Sequence, residues 1–157
     1  MKKFIRFIIA MLVAFIPGVI GVMFTPRGAS DAWYNALNKS VLTPDGWVFG
    51  VAWMVLYAFL GIAFFLIMNN TRTMQNKTKA YLLFMGQLAL NALWTYMFFG
   101  LHLVGGAFVV LVALVLISIW MARVFRPINR TASYLVWIYI AWLIFATYLN
   151  GTIMMLN

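Results

Sequence analysis

The sequence predicts an all-α membrane protein, a bundle of five transmembrane helices with a short interfacial helix in a long first loop. Three observations predict it. Of 157 residues, 66% are hydrophobic and only 8% charged, against roughly 25% charged in an average soluble domain. Five charge-free windows, Phe7 to Phe24, Trp47 to Met68, Ala80 to Leu101, Leu103 to Ala122 and Thr131 to Leu149, come close to the ~20 residues that cross a hydrocarbon core of ~30 Å. Basic residues cluster between alternate windows. The windows are apolar all round, whereas a transmembrane β-barrel needs ~10-residue segments that alternate apolar and polar. Helices are therefore expected over about 7–24, 47–68, 80–101, 103–122 and 131–153 of a single domain, 1–157, with 25–46 as a lid.

Charge sets the sidedness. The formal charge of +9 would fit nucleic acid if it were gathered on one surface, but it is spread in threes along the membrane boundary, and no nucleic-acid partner is expected. Lys2, Lys3 and Arg6 precede the first span, Arg72, Lys77 and Lys79 lie between the second and third, and Arg123, Arg126 and Arg130 lie between the fourth and fifth. The other side holds Arg27 and Lys39 with both acids, Asp31 and Asp45. The positive-inside rule then puts the amino terminus in the cytoplasm and both the first loop and the carboxyl terminus outside. A bacterial inner membrane fits this bias. The first segment looks like a signal peptide, but it runs on through Pro17 and Gly18 without a small-x-small cleavage site, so it is read as a retained span. With no cysteine, disulfides, thiolate metal sites and a cysteine nucleophile are excluded.

The first span carries Ala10, Ala14 and Gly18 at intervals of four, a small-residue ridge for close helix approach inside the bundle or between protomers. Pro17 should kink it. Loop 25–46 is long enough to suggest function, and Trp33, Tyr34, Leu37, Val41 and Leu42 give it apolar surface. A short helix is expected around Asp31 to Asn38, with Ser30 as its cap. Trp53, Tyr57 and Gly61 share one face of the second span, which suits a cavity wall or bundle packing equally. On the third span Gln87, Asn91, Trp94, Thr95 and Phe98 share a face that must point inward, because amides are costly against lipid. Either hydrogen bonds between helices or a ligand's polar group would satisfy those amides. A very short connection at His102, the only histidine, forces the third and fourth spans antiparallel. His102 is read as an interfacial residue rather than a haem ligand, and no metal site is assigned. The fourth span is aliphatic, a packing surface within the bundle or between protomers. The fifth aligns Tyr139, Trp142, Ala146 and Asn150 on one stripe.

Several separated motifs bear on what this bundle does. They are Trp33-Tyr34 with Leu37 and Lys39, then Thr43-Pro44, Gly46, Trp53 and Leu56-Tyr57; GQLALN from Gly86 to Asn91 with Trp94 and Phe98-Phe99-Gly100; and Tyr139, Ala141-Trp142, Phe145-Ala146 and Leu149-Asn150. In these residues, over about 17–157, the chain resembles the tryptophan-rich sensory protein/translocator protein family, which includes the peripheral benzodiazepine receptors. The resemblance implies a homodimeric five-helix bundle whose pocket opens toward the first loop. It implies porphyrin ligands such as protoporphyrin IX and haem, and synthetic isoquinoline carboxamides and benzodiazepines. Joined to the faces read above, the motifs give a pocket of Tyr34, Trp53, Tyr57, Asn91, Trp94, Phe98, Trp142, Phe145, Ala146 and Leu149. In some bacterial relatives the residues matching Trp53 and Trp142 are linked to light-dependent breakdown of protoporphyrin IX. The chain departs from the family pattern where Ser40 follows Lys39 and Asp45 follows Pro44, removing two prolines from the loop, so a looser lid is expected. Val110 replaces an acid and Ile138 a proline. The terminal sterol-recognition pattern is absent, because no Lys or Arg follows Tyr148.

Three functions remain in view. Binding or sensing of a tetrapyrrole needs no other cofactor: aromatic faces stack on the ring, Asn91 offers an amide, and Lys39 or Arg27 meets a carboxylate. Photo-oxidative degradation of the porphyrin would rest on Trp53 and Trp142 together with light and oxygen. No charged side chain lies within the windows, so general acid–base catalysis has no candidate and no catalytic residue is assigned. Coupled transport usually uses intramembrane ionisable groups, and their absence leaves only facilitated movement.

Overall fold

The computed structural model describes residues 1–25, 32–71 and 74–157. Helix α1 spans Lys2–Phe24, α2 Ala32–Ala36, α3 Gly46–Asn69, α4 Met74–Thr95, α5 Val104–Phe125 and α6 Arg130–Leu156. A π-helical turn, Tyr96–Gly100, continues α4. Apart from α2, these elements supply five helices long and apolar enough to cross a membrane. Most run beyond the charge-free windows, because Lys and Arg do not end a helix at the interface. Their stems stay on the helix while the charged heads reach water. The short lid helix appears where expected, though shorter. Its anticipated cap Ser30, like Arg27, Asp31 and Arg72, lies outside the described residues.

The five spans close into a ring in the order α1, α3, α6, α5, α4, each packed on the next and α4 returning to α1. The small ridge of α1 is used inside this ring. Ala10, Ala14, Pro17 and Gly21 are buried, and the helix runs unbroken through Pro17. A Cβ built on Gly18 would lie 2.8 Å from the Tyr57 ring, and one on Gly61 would lie 3.2 Å from the Cα of Met11. Backbone therefore lies almost against backbone where α1 crosses α3, as small residues allow. The ridge is thereby a packing device of the single chain.

The basic end is held by hydrogen bonds to main-chain carbonyls. Buried Lys77 donates to the carbonyls of Met68 and Asn70, capping α3, while Asn70 Nδ2 donates to the Ile128 carbonyl at 2.7 Å. Arg6 reaches Asn69 Oδ1 at 3.2 Å. Segments from all three basic regions thus meet at one end of the bundle, opposite α2. At Gly61, substitution by Val should force α1 away from α3 and destabilise the protein by about 1–3 kcal/mol. A lowered unfolding midpoint in detergent, with Gly50→Val as an open-space control, checks this.

Candidate functional site

The centre of the ring near the lid is built on Asn91. This residue is 1% exposed and uses both ends of its amide. Its Oδ1 accepts from the Tyr57 hydroxyl at 2.8 Å and its Nδ2 donates to the Tyr139 hydroxyl at 3.0 Å. One residue thereby joins α3, α4 and α6. One turn toward the lid, Trp94 donates from Nε1 to Asn150 Oδ1 at 3.2 Å, and Asn150 donates to the Val104 carbonyl at 3.0 Å. The amide of Asn91 is thus satisfied between helices. Gln87, fully buried one turn deeper, has no protein partner for either side-chain atom.

Aromatic rings fill the space between these amides. Trp53 stacks on Tyr57 at a tilt of 29° and on Trp94 at 30°, with centroids 5.6 and 6.0 Å apart, and meets Tyr139 edge-on at 6.4 Å. Trp94 in turn stacks on Phe98 at 5.8 Å. The result is a continuous column, Tyr57–Trp53–Trp94–Phe98, reaching from mid-bundle to the lid. Stacked rings at this spacing present π faces that also suit a flat ligand. Phe98 sits in the π-helical turn, a feature frequent at functional sites.

The lid closes the top of the column. Trp33 meets Phe98 at 5.6 Å and stacks flat on His102 at 3.9 Å and 10°. His102 presents its ring from a left-handed backbone, φ 56°. Tyr34 packs on Phe98 and Phe99, and burial raises its phenol above the ordinary range. Lys39 donates to the carbonyls of Tyr34 and Leu37 at 2.6 and 3.0 Å and lies 4.6 Å over the Tyr34 ring. Its ammonium therefore caps the end of α2 instead of standing free for a carboxylate. Beyond α2, Ser40 bonds Tyr148 through its hydroxyl at 3.0 Å and accepts from the Leu42 N–H. Asn38 and Asn157 also clasp each other, Asn38 N–H to Asn157 Oδ1 at 2.9 Å and Asn157 Nδ2 to the Asn38 carbonyl at 3.1 Å.

Six of the ten expected pocket residues, Tyr34, Trp53, Tyr57, Asn91, Trp94 and Phe98, are thus brought together. Ala146 and Leu149 are buried on α6. Trp142 and Phe145 are placed elsewhere, in an apolar groove of about 480 Å³ between α3 and α6, with Ala52, Val55, Leu56 and Phe59 across from them. Helical spacing put Trp142 on the Tyr139 stripe, but the stripe is wide enough for its two edges to face different spaces. Tyr139 and Asn150 complete the polar network. Sequence reading placed both on the right face without assigning them to the site, and their hydroxyl and amide were the available signal. No cluster of three or more His, Cys, Asp or Glu side chains that could hold a metal occurs among the described residues.

Five apolar helices around a hydrogen-bonded aromatic centre, capped by a short lid helix, define an integral membrane protein of the small helical-bundle class. Residues 8–156 match the model of the TspO/MBR family, and the chain belongs to that family. It is 33% identical over 153 residues to the tryptophan-rich protein TspO of Archaeoglobus fulgidus, covering 98% of this chain and 97% of that one. It is 31% identical over 141 residues to the tryptophan-rich sensory protein of Cereibacter sphaeroides, covering 90% and 84% of the two chains. To the translocator protein of Homo sapiens it is 35% identical over 128 residues, covering 79% and 74%.

Removing the Asn91 amide leaves two buried hydroxyls without a partner, each costing about 1–3 kcal/mol. Asn91→Ala should therefore destabilise the protein by more than Tyr57→Phe or Tyr139→Phe alone. Unfolding of the three variants in one detergent tests the ranking.

Proposed function

We propose that this protein binds porphyrins and related tetrapyrroles, protoporphyrin IX or haem, in the membrane, as a binding or sensory protein with no conventional enzymatic chemistry. The observation that carries the reading is the column Tyr57–Trp53–Trp94–Phe98, whose stacked rings would part to take the flat face of a ligand between them. Asn91 and Asn150 lie along the same column, paired with Tyr57, Tyr139, Trp94 and the Val104 carbonyl, partners that a ligand's polar groups would have to exchange with. Isoquinoline carboxamide and benzodiazepine-type molecules, flat and apolar with one or two carbonyls, fit the same description. The lid side is taken as the outer face of a bacterial inner membrane, because the basic connections gather at the opposite end. The reading extends to a homodimer, whose contact cannot use the small ridge already buried on α1.

Photo-oxidative degradation is the second reading. Trp53 favours it, because this indole is in ring contact with Tyr57, Trp94 and Tyr139 at once. An oxidising event beside a photoexcited porphyrin would therefore spread over several easily oxidised rings.

Titration of the purified protein with protoporphyrin IX, followed by tryptophan quenching, should give a saturable curve. Trp53→Phe should weaken it several-fold. Quenching that never saturates, or that saturates identically in the Trp53 and Trp94 variants, removes this site. Under illumination, Soret bleaching no faster than that of free porphyrin in the same detergent eliminates the second reading.

A further inference from the structure

The expected pocket is divided between a filled interior and an open groove, and the wall between them is thin. On α3 the groove is lined by Ala52 and Leu56, each one residue from Trp53 and Tyr57 of the aromatic column. On α6 it is lined by Ile138, next to Tyr139, and by Trp142. The two helices meet along this seam, yet among the described residues no hydrogen bond joins α3 directly to α6. Asn91 bridges Tyr57 and Tyr139 from behind, on α4. Besides the shared apolar core, to which α3 gives Leu56 and Leu60 and α6 gives Ile140 and Leu143, the seam is closed by rings, Trp53 edge-on to Tyr139 on the inside and Phe49 edge-on to Trp142 at 6.0 Å.

Trp142 is the anomalous member. Its ring lines the groove, while its indole N–H is buried and has no protein partner. In an apolar interior an unpaired donor is costly, so the observed position of Trp142 is one that an incoming acceptor would stabilise. A groove of about 480 Å³ is in the size range of ligand sites, roughly 300–1,000 Å³. The lid, in contrast, is fastened by the Asn38–Asn157 clasp, the Ser40–Tyr148 bond and the Trp33–His102 stack.

We propose that the groove between α3 and α6 is a lateral portal, where a flat hydrophobe dissolved in the bilayer first binds, and that Trp142 is the movable wall through which it reaches the aromatic column. This rests on the tetrapyrrole-binding reading above. The ligand enters from the hydrocarbon phase edge-first along Ala52 and Ala141, where small side chains leave room. A neutral oxygen at the ligand's edge, such as a carbonyl or the carbonyl oxygen of a protonated carboxyl group, accepts from the Trp142 N–H as that indole turns aside. Movement of Trp142 and Trp53 breaks ring and apolar packing contacts, whereas entry through the lid also breaks several hydrogen bonds.

Stopped-flow quenching with protoporphyrin IX in nanodiscs tests the route with two chains. Ala141→Trp fills the groove at a position already exposed to lipid, so folding should be preserved. It should slow association at least ten-fold and dissociation by a similar factor, a pattern that a damaged interior site would not give, since damage speeds dissociation. In the second chain, Asn38→Cys and Asn157→Cys are bridged by a short bifunctional thiol reagent, in a protein with no other cysteine. Holding the lid shut this way should leave the association rate within two-fold of the unbridged protein. Ala52→Phe narrows the groove from the opposite helix and should act as Ala141→Trp does. Unchanged rates in both groove variants, or loss of association on bridging the lid, would overturn the portal while leaving the binding reading intact. Absence of saturable quenching in the unmodified protein would instead overturn the binding reading, and the portal with it.

Discussion

The structure depends on a constraint that water-soluble proteins escape: a polar side chain within the hydrocarbon has no solvent to turn to, so leaving it unpaired is costly and another span is the main source of partners. Asn91 is where this constraint is met most fully. An amide has both a donor and an acceptor, and Tyr57 and Tyr139 use one each. Three helices are thereby fixed in rotation as well as in distance, because a slip of one residue on any of them would strand a buried hydroxyl or amide. The aromatic column inherits its registration from this junction. Trp53 lies one turn before Tyr57, and Trp94 lies one turn after Asn91, so fixing the hydrogen bonds also fixes which rings face each other.

That arrangement makes the interior stiff along α4 and comparatively yielding between α3 and α6. Directional bonds tie the lid to α6 and the basic end to its neighbouring helices, whereas the α3–α6 seam is closed by dispersion and edge-to-face contacts. Ring contacts of this kind contribute about 0.5–1.5 kcal/mol beyond area burial and tolerate sliding. A buried hydrogen bond in lipid has no comparable intermediate states. The molecule thus combines a rigid polar frame with a side wall that can be rearranged at modest cost.

Much of this was legible in the residues. Span number followed from hydropathy, and the gathering of the basic connections at one end of the bundle followed from the charge pattern. The inward face of α4 followed from the cost of amides against lipid, and the structure places Asn91, Trp94, Thr95 and Phe98 together as that argument requires. Two features were not legible, for a common reason. Trp142 shares a stripe with Tyr139, but periodicity fixes an angle around the helix only to within the width of a ring, so it could not divide a chamber wall from a groove wall. The attachment of Asn38 and Ser40 to the carboxyl-terminal helix likewise depended on where Ser40 met Tyr148 and Asn38 met Asn157, contacts between residues more than a hundred positions apart. Ser40 and Asp45 lack the fixed backbone angle of proline, which is visible in sequence. Long-range hydrogen bonds are visible only in the fold.

The charge-free windows narrow the kind of selectivity this site can exercise. With no carboxylate or ammonium at mid-bundle, recognition there rests on shape, on π faces and on a few neutral amides, all weakly directional toward a ligand's periphery. Charged substituents on a flat ligand would have to remain near the lid, where the interface supplies water, leaving the ring to enter the column. Lys39 does not alter this, because its ammonium is engaged by the carbonyls at the end of α2. Under the proposed binding reading, selection would be by flatness and by the position of polar groups around the rim, so that chemically unrelated flat molecules would share the site.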